Sequence, residues 1–196
     1  FRIDGVLGFQ PSFLLGQFVQ RHLWLLILAE IGYGALTCVV VVVFGFYLWR
    51  CPKAETLKLL RTLILNLFLA VPFYLLIPVC GPRFAFHDFP FSPPLHMIPH
   101  AIAIAAPPNG VPSVHASTAF LIVWFSWRWK VGRVFSLAYL VLTVIATLGS
   151  WQHYLFDLIV AAPYAALMLY LGSFKWYKRK NLEEARNALP SQLTSA

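Results

Sequence analysis

Pro112-Ser113-Val114-His115-Ala116-Ser117-Thr118-Ala119-Phe120-Leu121-Ile122-Val123-Trp124-Phe125-Ser126-Trp127-Arg128-Trp129-Lys130 decides the fold. The stretch opens polar, turns apolar and closes on cations. Ser113 has the side chain of a helix N-cap, and the first-turn N–H groups behind it, with the helix dipole, suit an anion. Residues 114–127 hold no Asp, Glu, Lys or Arg, so they read as a membrane span, short against the ~20 residues a bilayer requires. Arg128 and Lys130 mark the far end as cytoplasmic. His115 then stands inside a span, at its non-cytoplasmic end.

The same pattern repeats along the chain. Of 196 residues, 60% are hydrophobic and 11% charged, and the mean hydropathy is +0.72. A soluble domain carries about 25% charged residues, so a water-soluble fold is excluded. Spans are expected at 23–48, 62–80, 114–127, 134–149 and 154–174, with Pro72 kinking the second. Residues 11–22 read as an amphipathic helix lying flat in the interface, with Phe13, Leu14, Leu15, Phe18 and Val19 on one side. The expected fold class is all-α: a polytopic integral membrane helix bundle of about five transmembrane helices plus this interfacial helix. It forms one catalytic domain over residues 1–180, followed by a polar cytoplasmic tail at 181–196 that ends without apolar periodicity.

Topology follows from the cations. Arg50, Lys53, Lys58, Arg61, Arg128, Lys130, Arg133, Lys175, Lys178, Arg179, Lys180 and Arg186 fall on one face, against Arg2, Arg21 and Arg83 on the other. That is twelve of fifteen, which makes the first face cytoplasmic. It also explains the net charge of +8 without a nucleic-acid partner, since the cations cluster at the ends of apolar runs. Cys38, Cys51 and Cys80 are odd in number and separated by topology, so they read as buried or interfacial thiols, with no disulfide framework. The sequence starts at Phe1, which leaves room for an upstream segment with a further span. No signal-peptide pattern is visible in it.

The non-cytoplasmic face gathers the chemistry. The connection 81–112 is long and proline-rich, and it holds Arg83, His87, Asp88, His96 and His100. Connections of that length are often functional, and 95–106 has the pattern of a short interfacial helix. Thirty-eight residues after His115 comes His153-Tyr154-Leu155-Phe156-Asp157. His153 and Asp157, four apart, share one helix face. A carboxylate there fixes the tautomer of the imidazole and frees its other nitrogen to attack. In a soluble protein such a pair is more often a helix-end hydrogen bond, but ionisable groups inside a span are costly and usually functional. Ser113 can serve as a cap alone. His115 can be a satisfied buried histidine, or a general acid for a leaving oxygen. Arg83 can snorkel, or grip phosphate with paired hydrogen bonds. The spacing of the loop histidines and Asp88 matches no strong zinc pattern. Glu30 can pair with Arg21, line the site or face water.

An arginine element, a Pro-Ser-x-His element and a His-x-x-x-Asp element, in that order, resemble the type 2 phosphatidic acid phosphatase superfamily of membrane lipid phosphatases. The resemblance covers residues 81–157. It implies that Arg83, Ser113 and Val114 bind phosphate, that His115 is the general acid, that His153 becomes phosphohistidine and that Asp157 orients it, with no metal and no cofactor. Four positions depart from the common pattern: Leu76, Phe84, Val114 and Thr147 replace a lysine, a proline, a glycine and an arginine. In these departures, and in His153-Tyr154, the chain is similar to the branch with inositol phosphorylceramide synthase-like proteins. Fewer cations discriminate less strongly for a doubly charged monoester over a diester.

The expected activity is therefore metal-independent hydrolysis of a lipid phosphate or pyrophosphate at the non-cytoplasmic membrane face, the periplasmic side if the membrane is a bacterial plasma membrane. A transferase with a lipid or polyol hydroxyl as acceptor keeps the same site. A transporter or scaffold is the reading from another class, and it would scatter polar residues over several spans.

Overall fold

The structure is a computed structural model that describes residues 2–86, 89–91, 109–150 and 152–187, with backbone alone from 174 onward. It is a helical membrane bundle, and the described residues hold no strand. In chain order the helices are α1 (Arg2–Gly5), α2 (Pro11–Arg21), α3 (Leu23–Gly34), α4 (Leu36–Arg50), α5 (Lys53–Phe68), α6 (Ala70–Leu76), α7 (Pro82–Ala85), α8 (Val114–Ser126), α9 (Lys130–Gly149) and α10 (Leu155–Asn187).

Three stretches are long and apolar enough to cross a bilayer: Lys53–Leu76, Lys130–Gly149 and Leu155–Ser173. The α2–α3 pair, bent by 116°, makes a fourth if it counts as one broken span. The expected spans 23–48 and 114–127 contain the shorter apolar helices α4, of 15 residues, and α8, of 13. The first is interrupted at Ala35. The helix around Pro72 breaks at Leu69, because proline has no N–H to offer the carbonyl four residues back, on Phe68. Two spans start earlier than hydropathy suggests, at Lys53 and Lys130, because long cationic side chains can reach water from within a helix. At the other end, α10 continues through the expected boundary at 181.

The helices pack through small residues, which let membrane helices approach closely. α8, α9 and α10 meet around Ala116, Leu148, Leu158 and Ala161. α2, α3 and α9 meet around Val19, Leu25, Ala29 and Ala146. Gly149 is needed there, since a Cβ on it would lie 2.8 Å from Val19 Cγ2. Interhelical hydrogen bonds add to the packing: Asn66 Nδ2 donates to Thr118 Oγ1 at 3.0 Å, and the Tyr164 hydroxyl donates to Asn66 O at 2.7 Å.

The buried face of α2 differs from the expected stripe. Ser12, Phe13, Gly16 and Val19 are buried, while Leu14 and Phe18 are exposed. At the opposite end of α8 from Val114, Tyr47, Leu59 and Phe125 gather with Trp129. Arg128 donates to Cys51 Sγ at 2.8 Å and lies 4.3 Å over the Trp129 ring. The cations of the α4–α5 and α8–α9 turns therefore collect at one end of the bundle. All three cysteines are free, with Cys80 buried, Cys51 half-buried and Cys38 exposed.

Candidate active site

At the start of α10, the His153 side chain is buried and its Nδ1 lies 3.0 Å from Gly110 O and 3.3 Å from Asp157 Oδ2. A peptide carbonyl can only accept, so Nδ1 carries the hydrogen in the neutral ring and Nε2 keeps the lone pair. Asp157 Oδ2 also accepts the Tyr154 N–H at 2.9 Å, reaching back to the helix start as in a capping box. Gly110 fits for steric reasons: its N–H donates to Val79 O at 2.7 Å, and a Cβ would lie 2.7 Å from that oxygen.

The start of α8 lies alongside. Ser113 is buried; its Oγ accepts the Ala116 N–H at 3.3 Å, and its own N–H reaches Asp157 O at 3.4 Å. The Tyr74 hydroxyl donates to Pro112 O at 3.0 Å. Val114 and His115 are half-buried. The His115 ring stacks on Tyr33 of α3, with centroids 3.9 Å apart and planes 15° apart. The structure thus brings Ser113, Val114, His115, His153 and Asp157 to one end of the bundle.

The chain leaving α9 folds back on it, with the Gln152 and His153 N–H groups both donating to Thr147 O at 3.2 Å. Thr147, where the resemblance expects an arginine, is fully buried, and its hydroxyl donates to Thr143 O at 2.7 Å. It supports the turn and offers no cation.

Arg83 sits exposed on α7, four residues after Val79, the partner of Gly110. Glu30 is exposed, one turn from Tyr33, and no ion pair joins it to Arg21 among the described residues. His87, Asp88, His96, His100 and the helix expected at 95–106 lie outside the described residues. Among the described residues, no group of three metal-ligating side chains comes together.

Three contacts to this turn were not legible in the sequence. Asp4, buried on α1, accepts the Leu155 N–H at 2.8 Å and the Phe156 N–H at 3.0 Å. Ser12 Oγ donates to His153 O at 3.1 Å. Gly110 O holds the His153 ring. All three come from distant parts of the chain, so no local spacing announces them.

An apolar cavity of about 340 Å³ beside Asp157 is lined by Phe73, Ile77, Val79, Val111 and Phe156. Larger cavities, of about 900 and 680 Å³, lie at the basic end, and no histidine among the described residues lines them.

The family model of the PAP2 superfamily matches residues 1–171. No curated protein and no solved structure matches the chain.

Proposed function

The chain belongs to the PAP2 superfamily, and on that premise we propose that it is a membrane phosphatase that hydrolyses lipid phosphates or pyrophosphates through a phosphohistidine on His153. The observation that carries the reading is the hold on His153 Nδ1 by Gly110 O and Asp157 Oδ2, which leaves Nε2 as the lone-pair nitrogen.

In the proposed reaction, His153 Nε2 attacks phosphorus in line and the bond from phosphorus to the leaving oxygen breaks. His115 gives that oxygen its proton. Arg83, Ser113 and the Val114 N–H hold the equatorial oxygens, so catalysis is mainly positioning and electrostatics. Asp157 steadies the imidazolium that forms. Water, deprotonated by His115, then attacks the phosphohistidine and releases phosphate. No step uses a metal or cofactor. The site faces the non-cytoplasmic side, opposite the cations. The apolar cavity beside Asp157 favours a substrate whose tail stays in the bilayer.

A second reading keeps the same covalent intermediate and passes the phosphoryl group to a lipid or polyol hydroxyl, as in inositol phosphorylceramide synthase-like proteins. The uncharged Leu76 and Thr147 favour it, because they leave a site less selective for doubly charged monoesters. One assay separates the two. Purified protein receives phosphatidic acid, a polyprenyl pyrophosphate or a phosphodiester lipid, each with and without an alcohol acceptor. Released phosphate is expected in both arms, surviving a strong chelator and abolished by orthovanadate. Head-group transfer without phosphate release selects the second reading, and strict dependence on a divalent ion overturns both.

A further inference from the structure

We propose that Asp4 is a positioning residue for His153, closing the start of α10 so that the imidazole keeps its aim and phosphate is directed to α8. This rests on reading His153 as the nucleophile.

The first observation is completeness. Asp4 is 3% exposed, and each of its oxygens takes one backbone N–H, Oδ2 that of Leu155 and Oδ1 that of Phe156. Asp157 Oδ2 takes the Tyr154 N–H, and Tyr154 O takes the Asp157 N–H at 3.2 Å. The four N–H groups that a helix start leaves open are thus all filled by the chain itself, two of them by Asp4.

The second observation is reach. Ser12 holds the His153 carbonyl, and Phe13 packs edge-on against Phe86 and Phe89, centroids 5.5 and 4.6 Å away. Residues 4–13 therefore touch both the turn that carries His153 and the stretch that follows Arg83. Removing the Asp4 carboxylate strands two half-buried donors two and three residues beyond His153, which is costly. The helix start then shifts or frays, and Nδ1 leaves Gly110 O. The emptied helix start also becomes a second anion seat, competing with α8.

The isosteric variant Asp4→Asn tests this. Its amide offers one acceptor, and its NH₂ faces the other N–H donor, so it fills the same space without closing the helix. Asp4→Asn in phosphatidylcholine vesicles, assayed on whichever of phosphatidic acid or a polyprenyl pyrophosphate the unaltered chain cleaves, is expected to lose about ten- to a hundred-fold in kcat. KM should stay within about twofold, and hydrogen exchange should quicken at Leu155 and Phe156 alone. A kcat equal to that of the unaltered protein overturns the proposal. If Asp4→Asn does not fold, Ser12→Ala, which releases only the His153 carbonyl, must show the same kcat-only loss in milder form, and unchanged turnover there overturns it too. Failure of the functional reading looks different: the unaltered protein then cleaves no lipid phosphate, while hydrogen exchange in Asp4→Asn still reports whether Asp4 closes α10.

Discussion

Two helices begin at the same end of this bundle, and their starts are closed by opposite chemistry. α10 is filled by two carboxylates, Asp4 and Asp157, which take the N–H groups of Tyr154, Leu155 and Phe156. α8 has uncharged oxygens, with Ser113 Oγ taking the Ala116 N–H and the main-chain oxygen of Asp157 taking that of Ser113. Both starts carry the partial positive charge of a helix dipole. On α10 that charge is already compensated, and the turn is a rigid mount for an imidazole. On α8 no carboxylate among the described residues takes a first-turn N–H, so a phosphate can take that place. A nucleophile needs the first arrangement and an anion seat needs the second.

The comparison is broken most completely by removing what α10 mounts. His153→Ala is expected to lower kcat by about ten-thousand-fold or more, while orthovanadate still binds because α8 is untouched. Loss of vanadate binding together with activity would mean that the two helix starts are not separate devices. Asp157→Ala should cost less, about a thousand-fold in kcat, since Gly110 O still holds Nδ1. If it equals His153→Ala in severity, Asp157 does more than align the ring.

The parts of this arrangement legible in the sequence were the local ones. Asp157 lies in the first turn of α10 and His153 two residues before that helix, so the spacing of four joins them across the helix start and not along one helix face, while Ser113 stands where a cap belongs. The closure of α10 was not legible, because Asp4 and Leu155 are 151 positions apart and an isolated aspartate near an apolar run looks like any solvated charge. The face of α2 was read only in part, for a different reason. In a bilayer, apolar side chains are content on either side, so the stripe Phe13, Leu14, Leu15, Phe18 and Val19 does not by itself mark the core: Phe13 and Val19 are buried, but Leu14 and Phe18 are exposed. The small and polar Ser12 and Gly16 mark it, because close approach and hydrogen bonding drive packing there. The span ends also escaped hydropathy, which counts Lys53 and Lys130 as loop although both lie in helices.

Making α8 resemble α10 sharpens the contrast. Ser113→Asp keeps an N-cap oxygen and adds negative charge at the positive end of the dipole, which offsets only part of the cost of burying that charge at a fully buried position. Thermal stability in detergent should fall modestly. Activity should fall much further, by about a hundred-fold in kcat/KM, because the seat for phosphate now carries charge of the same sign. A variant as active as the starting protein would remove α8 as the anion seat.

The smallest effect concerns the group that sets His115. Tyr33 of α3 stacks on that ring, and a stacked aromatic pair is worth about 0.5–1.5 kcal/mol beyond its buried area. If the stack fixes the direction in which His115 delivers a proton, Tyr33→Leu should slow turnover by roughly two- to twelve-fold, which is that energy expressed as a rate. Tyr33→Phe, which keeps the ring, should leave turnover unchanged. The loss in Tyr33→Leu should shrink with a leaving group acidic enough to depart unprotonated, because His115 then has less to do. A penalty that ignores the leaving group would assign Tyr33 to packing of α3 on α8, and the proton donor would then have to be sought elsewhere at the start of α8.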